Sequence, residues 1–164
     1  MRIGVISDTH IPFFTRSIPQ PVLESFATCD VIVHAGDIIE SSVIEKLKTM
    51  AETRAVHGNM DSEELKRLLP DRLVFEVGGK RIGVTHGKGS GKKVLDEVRN
   101  IFDKKVDIVI FGHSHMPFNE NIGGTLFFNP GSATDTLFQG KRTYGIITIE
   151  GDIVRGEIIE IGQG

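Results

Sequence analysis

The 164-residue sequence has a single cysteine, Cys29, so no intrachain disulfide can form and nothing indicates an oxidising compartment. It has no stretch close to the roughly 20 apolar residues that a membrane-spanning helix needs. The first apolar run is interrupted at Asp8 and His10, which is too early for a signal peptide. These absences predict a soluble, cytoplasmic protein with no membrane partner.

An excess of positive charge is also missing, because the formal net charge is -3. Binding to nucleic acid relies on clustered Lys and Arg, so a nucleic-acid partner is not expected. A small anionic substrate stays compatible with this charge, because bound metal ions change the local potential. The chain has no internal repeat or low-complexity tract, and its length predicts one domain over residues 1–164.

Short apolar runs alternate with helical patterns along the chain. Strands are expected at residues 2–7, 30–34, 54–57, 73–77, 81–85, 107–111, 126–128, 144–149 and 153–161. Helices are expected at residues 21–27, 41–50 and 92–102, with Ser42 and Glu45 as a capping box in the second helix. Gly78-Gly79-Lys80 and Gly151-Asp152 predict hairpin turns. This order predicts an α/β fold of two packed mixed sheets with helices outside.

Several of the predicted strands are followed by Asp, Asn or His, where ligands collect in α/β sheets. These candidate ligands are Asp8, His10, Asp37, Asn59, His86, His113 and His115. Seven O and N ligands are about enough for two divalent ions that share one carboxylate, and such ion pairs hydrolyse phosphate esters. Any single fragment could be an ordinary turn or helix cap, but the ordered set favours a metal site.

The spacing also predicts which ligands act together. Residues two apart on an extended strand end point the same way, so Asp8 and His10 should reach one ion, and the same argument pairs His113 with His115. Asp37 has two oxygens and can contact two ions. Asn59 can add a ligand without adding charge.

The series Asp8-x-His10, Gly36-Asp37, Gly58-Asn59, His86 and Gly112-His113-x-His115 resembles the calcineurin-like metallophosphoesterases. Val33-His34-Ala35-Gly36-Asp37 and Asn129-Pro130-Gly131-Ser132 are similar to their small bacterial and archaeal phosphodiesterase branch. The resemblance extends from about Arg2 to Ile161. It implies an α/β four-layer sandwich, in which two facing mixed β-sheets are flanked by helices.

The resemblance further implies a dinuclear centre. One ion would be held by Asp8, His10, Asp37 and His115, and the other by Asp37, Asn59, His86 and His113, with Asp37 as the bridge. The two divalent ions would be Mn²⁺ first of all, with Ni, Fe or Zn left open by mixed N/O ligation. A bridging hydroxide would attack phosphorus in line, and Asn59 would help the metals to stabilise the developing charge.

The sequence departs from many relatives at Met60, where a histidine often supplies the proton for the leaving group. We therefore expect a preference for good leaving groups. His57 is a candidate substitute acid, with a structural or exposed role as the alternative, and His34 is interpreted as a supporting core histidine. Lys88 and Arg16 form either a solvated surface or a cationic rim. Three aromatic residues either line the mouth or pack ordinarily, namely Phe13, Phe14 and Phe118.

These features predict a metal-dependent phosphodiesterase acting on small phosphate esters. The alternatives are a protein-interaction scaffold of the retromer-subunit type, whose scaffold subunit resembles this branch, and a phosphomonoesterase or nuclease. A scaffold needs no complete site, whereas all seven positions here carry competent ligands, which favours the enzyme. The substrate, the native metal, the general acid and the oligomeric state, a homo-oligomer included, are left open.

Overall fold

The computed structural model consists of two β-sheets and flanking helices, and it describes residues 1–89, 93–102, 105–135, 137 and 140–162. The strands are β1 (Arg2–Ile6), β2 (Val31–His34), β3 (Glu52–Ala55), β4 (Arg72–Val77), β5 (Lys80–Thr85), β6 (Ile108–Ile110), β7 (Phe118–Ile122), β8 (Thr125–Asn129), β9 (Arg142–Glu150) and β10 (Ile153–Ile161). The helices are α1 (Gln20–Phe26), α2 (Ser41–Lys48), α3 (Glu63–Leu68) and α4 (Lys93–Val98). None of the helices within these ranges is long and apolar enough to cross a membrane.

Both sheets are mixed, and each has a parallel centre. The first sheet has the order β10-β9-β1-β2-β3, in which β1, β2 and β3 are parallel and β9 and β10 complete the sheet by antiparallel pairing. The second has the order β4-β5-β6-β8-β7, with β5, β6 and β8 parallel between antiparallel edges. Parallel pairing places the carboxyl ends of neighbouring strands at one edge, where loop side chains can meet.

Three apolar clusters hold the layers together. Between the sheets, Val5 and Val33 of the first sheet belong to one cluster with Ile110 and Phe128 of the second. Helices α1, α2 and α3 pack on the outer face of the first sheet, and α4 packs on the outer face of the second. The predicted fold of two facing mixed sheets flanked by helices is therefore confirmed.

The structure corrects several local predictions. Helix α3 and strand β7 were not predicted. Helix α3 is capped by Ser62, whose hydroxyl accepts the Leu65 N–H. The capping box in α2 is wrong, because Glu40 is the N-cap and the Ser42 hydroxyl donates to its carboxylate. Helix α4 ends at Val98, short of the predicted residue 102, and the predicted first residue, Lys92, lies outside the described residues.

Phe128 joins the two sheets by filling space that two glycines leave open. Its ring is fully buried, and a side chain at Gly145 or Gly156 of the first sheet would collide with it. We expect Phe128→Ala to lower the free energy of unfolding by about 3–5 kcal/mol, since it leaves a cavity. Phe13 is 67% exposed, so Phe13→Ala should change it by no more than about 0.5 kcal/mol. Urea unfolding measures both, and equal losses would contradict this account of the core.

Candidate metal centre

The ends of five strands bring all the predicted ligand side chains together. The first sheet supplies Asp8 and His10 after β1, Asp37 after β2 and Asn59 after β3, and the second supplies His86 after β5 and His113 and His115 after β6. A continuous series of atom pairs, none longer than 3.9 Å, connects these seven side chains. The folded chain therefore gathers residues that are far apart in sequence.

One group consists of Asp8, His10 and His115, whose potential ligand atoms all lie within 4.8 Å of one another. The Nε2 atoms of His10 and His115 are 3.3 Å apart. Asp8 Oδ1 lies 3.5 Å from His115 Nε2. Three ligand atoms that converge in this way can hold one cation.

A second group surrounds His86. Its Nε2 lies 3.3 Å from Asp37 Oδ2 and 3.3 Å from His113 Nδ1. His113 Nδ1 is in turn 3.0 Å from Asn59 Oδ1. Asp8, Asp37 and His86 also meet the 4.8 Å criterion, so Asp8 faces both groups.

Asp37 lies between the two groups. Its Oδ2 is 3.5 Å from His10 Nε2 and 3.3 Å from His86 Nε2. Its Oδ1 accepts the Met60 N–H at 2.8 Å and is therefore already engaged. A single oxygen of Asp37, rather than both, faces the two groups.

The pairing of His113 with His115 by spacing is wrong. His115 belongs with Asp8 and His10, whereas His113 faces His86 and Asn59. Asp8 and His10 do share a group, but not for the predicted reason, because both have left-handed backbone with φ of 51° and 43°. Side-chain direction in these loops follows the turn rather than strand alternation.

Left-handed backbone is concentrated in this site. Among the described residues, six non-glycine positions have positive φ, and five of them are candidate ligands: Asp8, His10, Asp37, His113 and His115. Such conformations cost of order 1–3 kcal/mol each and persist where the surrounding structure enforces them. Glycines admit the tight turns, because a side chain on Gly58 would collide with Asp37 and one on Gly112 with Ser7.

Hydrogen bonds on the far side of three imidazole rings fix which nitrogen faces the centre. His86 Nδ1–H donates to the Ala35 carbonyl at 2.8 Å, and His113 Nε2–H donates to the Gly89 carbonyl at 2.7 Å. His115 Nδ1–H donates to Asp135 Oδ2 at 2.5 Å. Each bond leaves the other ring nitrogen as a lone-pair donor toward the centre, as in proteins that bind metals.

Asp135 was missed from the sequence. It is buried, its backbone N–H donates to Ser132 Oγ, and its Oδ1 accepts the Leu137 N–H. The same segment supports Asp8, because the hydroxyl of Ser132 donates to the Asp8 carbonyl at 2.7 Å. No motif around Asp135 signals its contact with His115, which depends on chain segments that meet only in the fold.

The charges of the site favour a cation. Burial opposes the charged form of His86, but its hydrogen bond to Asp37 and the carboxylates of Asp8 and Asp37 raise its pKa to about 9. Burial lowers the pKa of His10. The pKa of Asp37 is lowered despite burial, because His86 donates a hydrogen bond to it. Surroundings that stabilise an imidazolium also attract metal cations.

The donor set fits divalent metal ions. In neutral His113, the Nδ1 lone pair faces the Asn59 oxygen at 3.0 Å with no proton between them, and His10 and His115 also direct nitrogens at each other. A shared cation relieves this repulsion. Carboxylate, amide and imidazole donors together suit Mn, Fe, Ni or Zn and do not choose among them.

His34 is a supporting histidine, as interpreted from the sequence. It is fully buried, its Nδ1 accepts the Gly36 N–H at 3.2 Å and its Nε2–H reaches Thr9 Oγ1 at 3.1 Å. Both bonds require the neutral ring. Burial, with the nearby charge of His86, lowers the pKa of His34 to about 3.

Neutral His34 should make stability dependent on pH. The unfolded chain protonates this residue near its ordinary value of 6.5 and the folded chain only near 3, so its contribution is complete above pH 6.5 and is lost as pH falls toward 3. We expect up to about 1.4 kcal/mol per pH unit from this residue. Urea unfolding of metal-stripped protein should give a shallower profile for His34→Gln; parallel profiles for parent and variant would contradict the assignment.

The structure separates His57 from the ligands. Its Nδ1 lies 3.3 Å from the Gly58 carbonyl, and its side chain is half-buried. It lines a cavity of about 150 Å³ with Asn59, His86 and Lys88. This position beside the second group keeps the acid role open as a hypothesis.

The other predicted rim residues divide. Phe14 lies at the centre, with its ring 5.2 Å from the His10 ring and 6.3 Å from the His115 ring. Phe118 instead packs near Phe111 and lines a separate cavity. Arg16 lines a cavity with Lys46 beside α2, which gives no support to its place in a cationic rim.

Comparison with known proteins agrees with these features. The family model of the calcineurin-like phosphoesterase superfamily domain matches residues 1–152. The chain belongs to this superfamily. It is 34% identical over 163 residues to a probable metallophosphoesterase of Methanothermobacter thermautotrophicus, covering 99% of this chain and 94% of that protein. It is 28% identical to a phosphodiesterase of Methanocaldococcus jannaschii, covering 98% and 100%.

A solved structure of a different kind of relative shares the fold. Vps29 of Entamoeba histolytica, in complex with zinc, has a TM-score of 0.77 or close to it in its several crystal forms; the zinc complex itself scores 0.76 at 25% identity, covering 98% of this chain and 99% of that one. This likeness extends across both sheets. The superfamily fold therefore occurs in proteins named as phosphodiesterases and in a protein named for vacuolar sorting.

Proposed function

We propose that the chain is a metal-dependent phosphodiesterase that hydrolyses small phosphate esters. The observation that carries this proposal is Asp37 Oδ2, which lies 3.5 Å from His10 Nε2 in one group and 3.3 Å from His86 Nε2 in the other. A carboxylate oxygen in that position suits a bridge between two cations. We further propose that the enzyme works in the cytoplasm, as one domain over residues 1–164.

The proposed ligands follow the two groups. Asp8, His10, Asp37 and His115 would hold one divalent ion, and Asp37, Asn59, His86 and His113 the other. Mn²⁺ is the first candidate, with Ni, Fe or Zn as alternatives. Bound in this way, the ions would supply a nucleophile by lowering the pKa of water and would offset charge on the phosphoryl oxygens.

The chain's own groups orient the reaction. Gly89, Ala35 and Asp135 each accept a hydrogen bond that orients one of the ligand rings. Asn59 lies beside the second group, where its amide can also bind a phosphoryl oxygen. These preset positions reduce the reorganisation needed when substrate binds.

The leaving group is the weak point of the site. Met60 is 53% exposed beside Asn59 and carries no proton to donate. Without an acid, departure of the alcohol depends on its own acidity, so aryl esters should be preferred over alkyl esters. His57 lines the adjoining cavity and is the candidate for any weak acid assistance.

A scaffold is the second candidate, and the likeness to Vps29 favours it. The two functions make different demands on the strand-end loops. A scaffold does not require converging lone pairs, left-handed ligand residues or oriented imidazole rings. The retention of all three supports the enzyme; phosphomonoesters and nucleic acid stay as alternative substrates.

A substrate panel tests the proposal. We expect Mn²⁺-dependent hydrolysis of chromogenic phosphodiesters, with less on monoesters and loss of activity with chelator. Ni²⁺ and Mg²⁺ would be compared in parallel. Absence of metal-dependent hydrolysis across mono- and diesters would reject the enzyme and favour the scaffold.

Removal of the bridge should be far more severe than removal of a surface carboxylate. We expect Asp37→Ala to lower kcat/KM more than about a hundredfold, the upper end of the range for losses of groups that merely support ligands. Asp152→Ala is the matched control, because that side chain is exposed and pairs only with Lys80 on the surface. Substantial residual activity in Asp37→Ala would reject the shared-ligand arrangement.

Introducing an acid should broaden the leaving groups. General acids contribute roughly 10²–10⁴-fold, so Met60→His should raise the ratio of alkyl to aryl diester hydrolysis by at least about tenfold. Met116→His is the control, because Met116 is similarly exposed but lines the separate cavity with Phe118. Parent enzyme that already cleaves alkyl and aryl esters equally would contradict the stated preference.

A further inference from the structure

Asp61 lies under the candidate centre and contacts none of the candidate ligand atoms. It is only 4% exposed, and its carboxylate accepts four backbone N–H groups. The distances are 2.6 Å to Ile38, 2.7 Å to Ile39, 2.7 Å to Gly58 and 3.1 Å to Asp37. Both oxygens are used, so this buried charge is fully hydrogen-bonded.

These four donors come from two loops that follow different strands. Three belong to the loop after β2, which carries Asp37, and one belongs to the loop after β3, which carries Asn59. The loops are also joined in the opposite direction, because the Met60 N–H donates to Asp37 Oδ1 at 2.8 Å. Each loop thus supplies a carboxylate to the backbone of the other.

The bonds to Asp61 coincide with unfavourable backbone conformations. Asp37 has φ of 56° and Ile39 has φ of 80°, and the N–H of each donates to Asp61. Positive φ is a genuine outlier for a β-branched residue such as Ile39. Hydrogen bonds to a charged acceptor contribute roughly twice as much as neutral ones, so this carboxylate can offset the strain.

We infer that Asp61 is a positioning residue that aligns the bridging oxygen of Asp37 with Asn59 before metal binds. The inference rests on the proposed function, because it assumes that Asp37 and Asn59 are ligands. Asparagine has nearly the same shape but would place an NH₂ donor against N–H donors. The loops should then lose their mutual alignment, although neither ligand is altered.

Metal affinity of Asp61→Asn tests this role without an assay of activity. We expect calorimetric titration with Mn²⁺ to show about 10–100-fold weaker binding than in the parent, the range for groups that orient ligands. Asp107→Asn is the matched control. Its half-buried carboxylate also accepts a backbone N–H, from Arg81 at 2.8 Å, but lies away from the centre. It should bind Mn²⁺ like the parent even where both variants have lowered melting temperatures.

Equal Mn²⁺ affinity in Asp61→Asn and parent would overturn the inference. A parent that binds no Mn²⁺ would instead reject the proposed function, so the two failures are distinguishable. Should Asp61→Asn not fold, hydrogen exchange on the metal-stripped parent decides. The amides of Asp37, Ile38, Ile39 and Gly58 should be protected as one set, although none lies within a helix or strand. Exchange of these amides at the rate of open loops would overturn the inference.

Discussion

The position of the Asp37 carboxylate constrains both halves of the candidate centre. Its Oδ2 is within 3.5 Å of a histidine from each group, while its Oδ1 is held by the Met60 N–H. The two oxygens therefore have separate tasks, one structural and one facing the centre. A small rotation of this side chain would separate the groups, which explains why so much of the surrounding backbone is devoted to holding it.

That support reaches through several layers of the structure. The carboxylate of Asp61 fixes the backbone of the Asp37 loop, and neutral His34 links Gly36 to Thr9 of the loop after β1. Asp135 performs a similar task for His115 from the far side of the site. Buried polar groups are costly unless they are fully bonded, and these three have partners for that reason. The result is a set of ligand loops whose shape is determined before any ion or substrate arrives.

The sequence predicted the parts of this arrangement that depend on local pattern. Apolar runs followed by Asp, Asn or His located the strand ends, and the layered fold followed from them and from the family resemblance. It did not predict α3, whose six residues are too few for a clear helical period, or β7, whose burial does not alternate. The separation of His113 from His115 was also missed, because it depends on left-handed φ at both residues. Asp135 and Asp61 could not be recognised because their partners are backbone or side-chain atoms that only the fold brings near. The ligand roles themselves stay predictions.

The shared fold of phosphodiesterases and Vps29 places the difference between them in local chemistry. In this chain the local chemistry is unequal. The groups suited to cations are numerous, oriented and partly strained, whereas the position suited to an acid is occupied by Met60, an apolar and exposed side chain. An enzyme built in this way stabilises charge at phosphorus well and assists the leaving group poorly. Its substrates should therefore be distinguished less by their phosphoryl group than by the acidity of the alcohol they release.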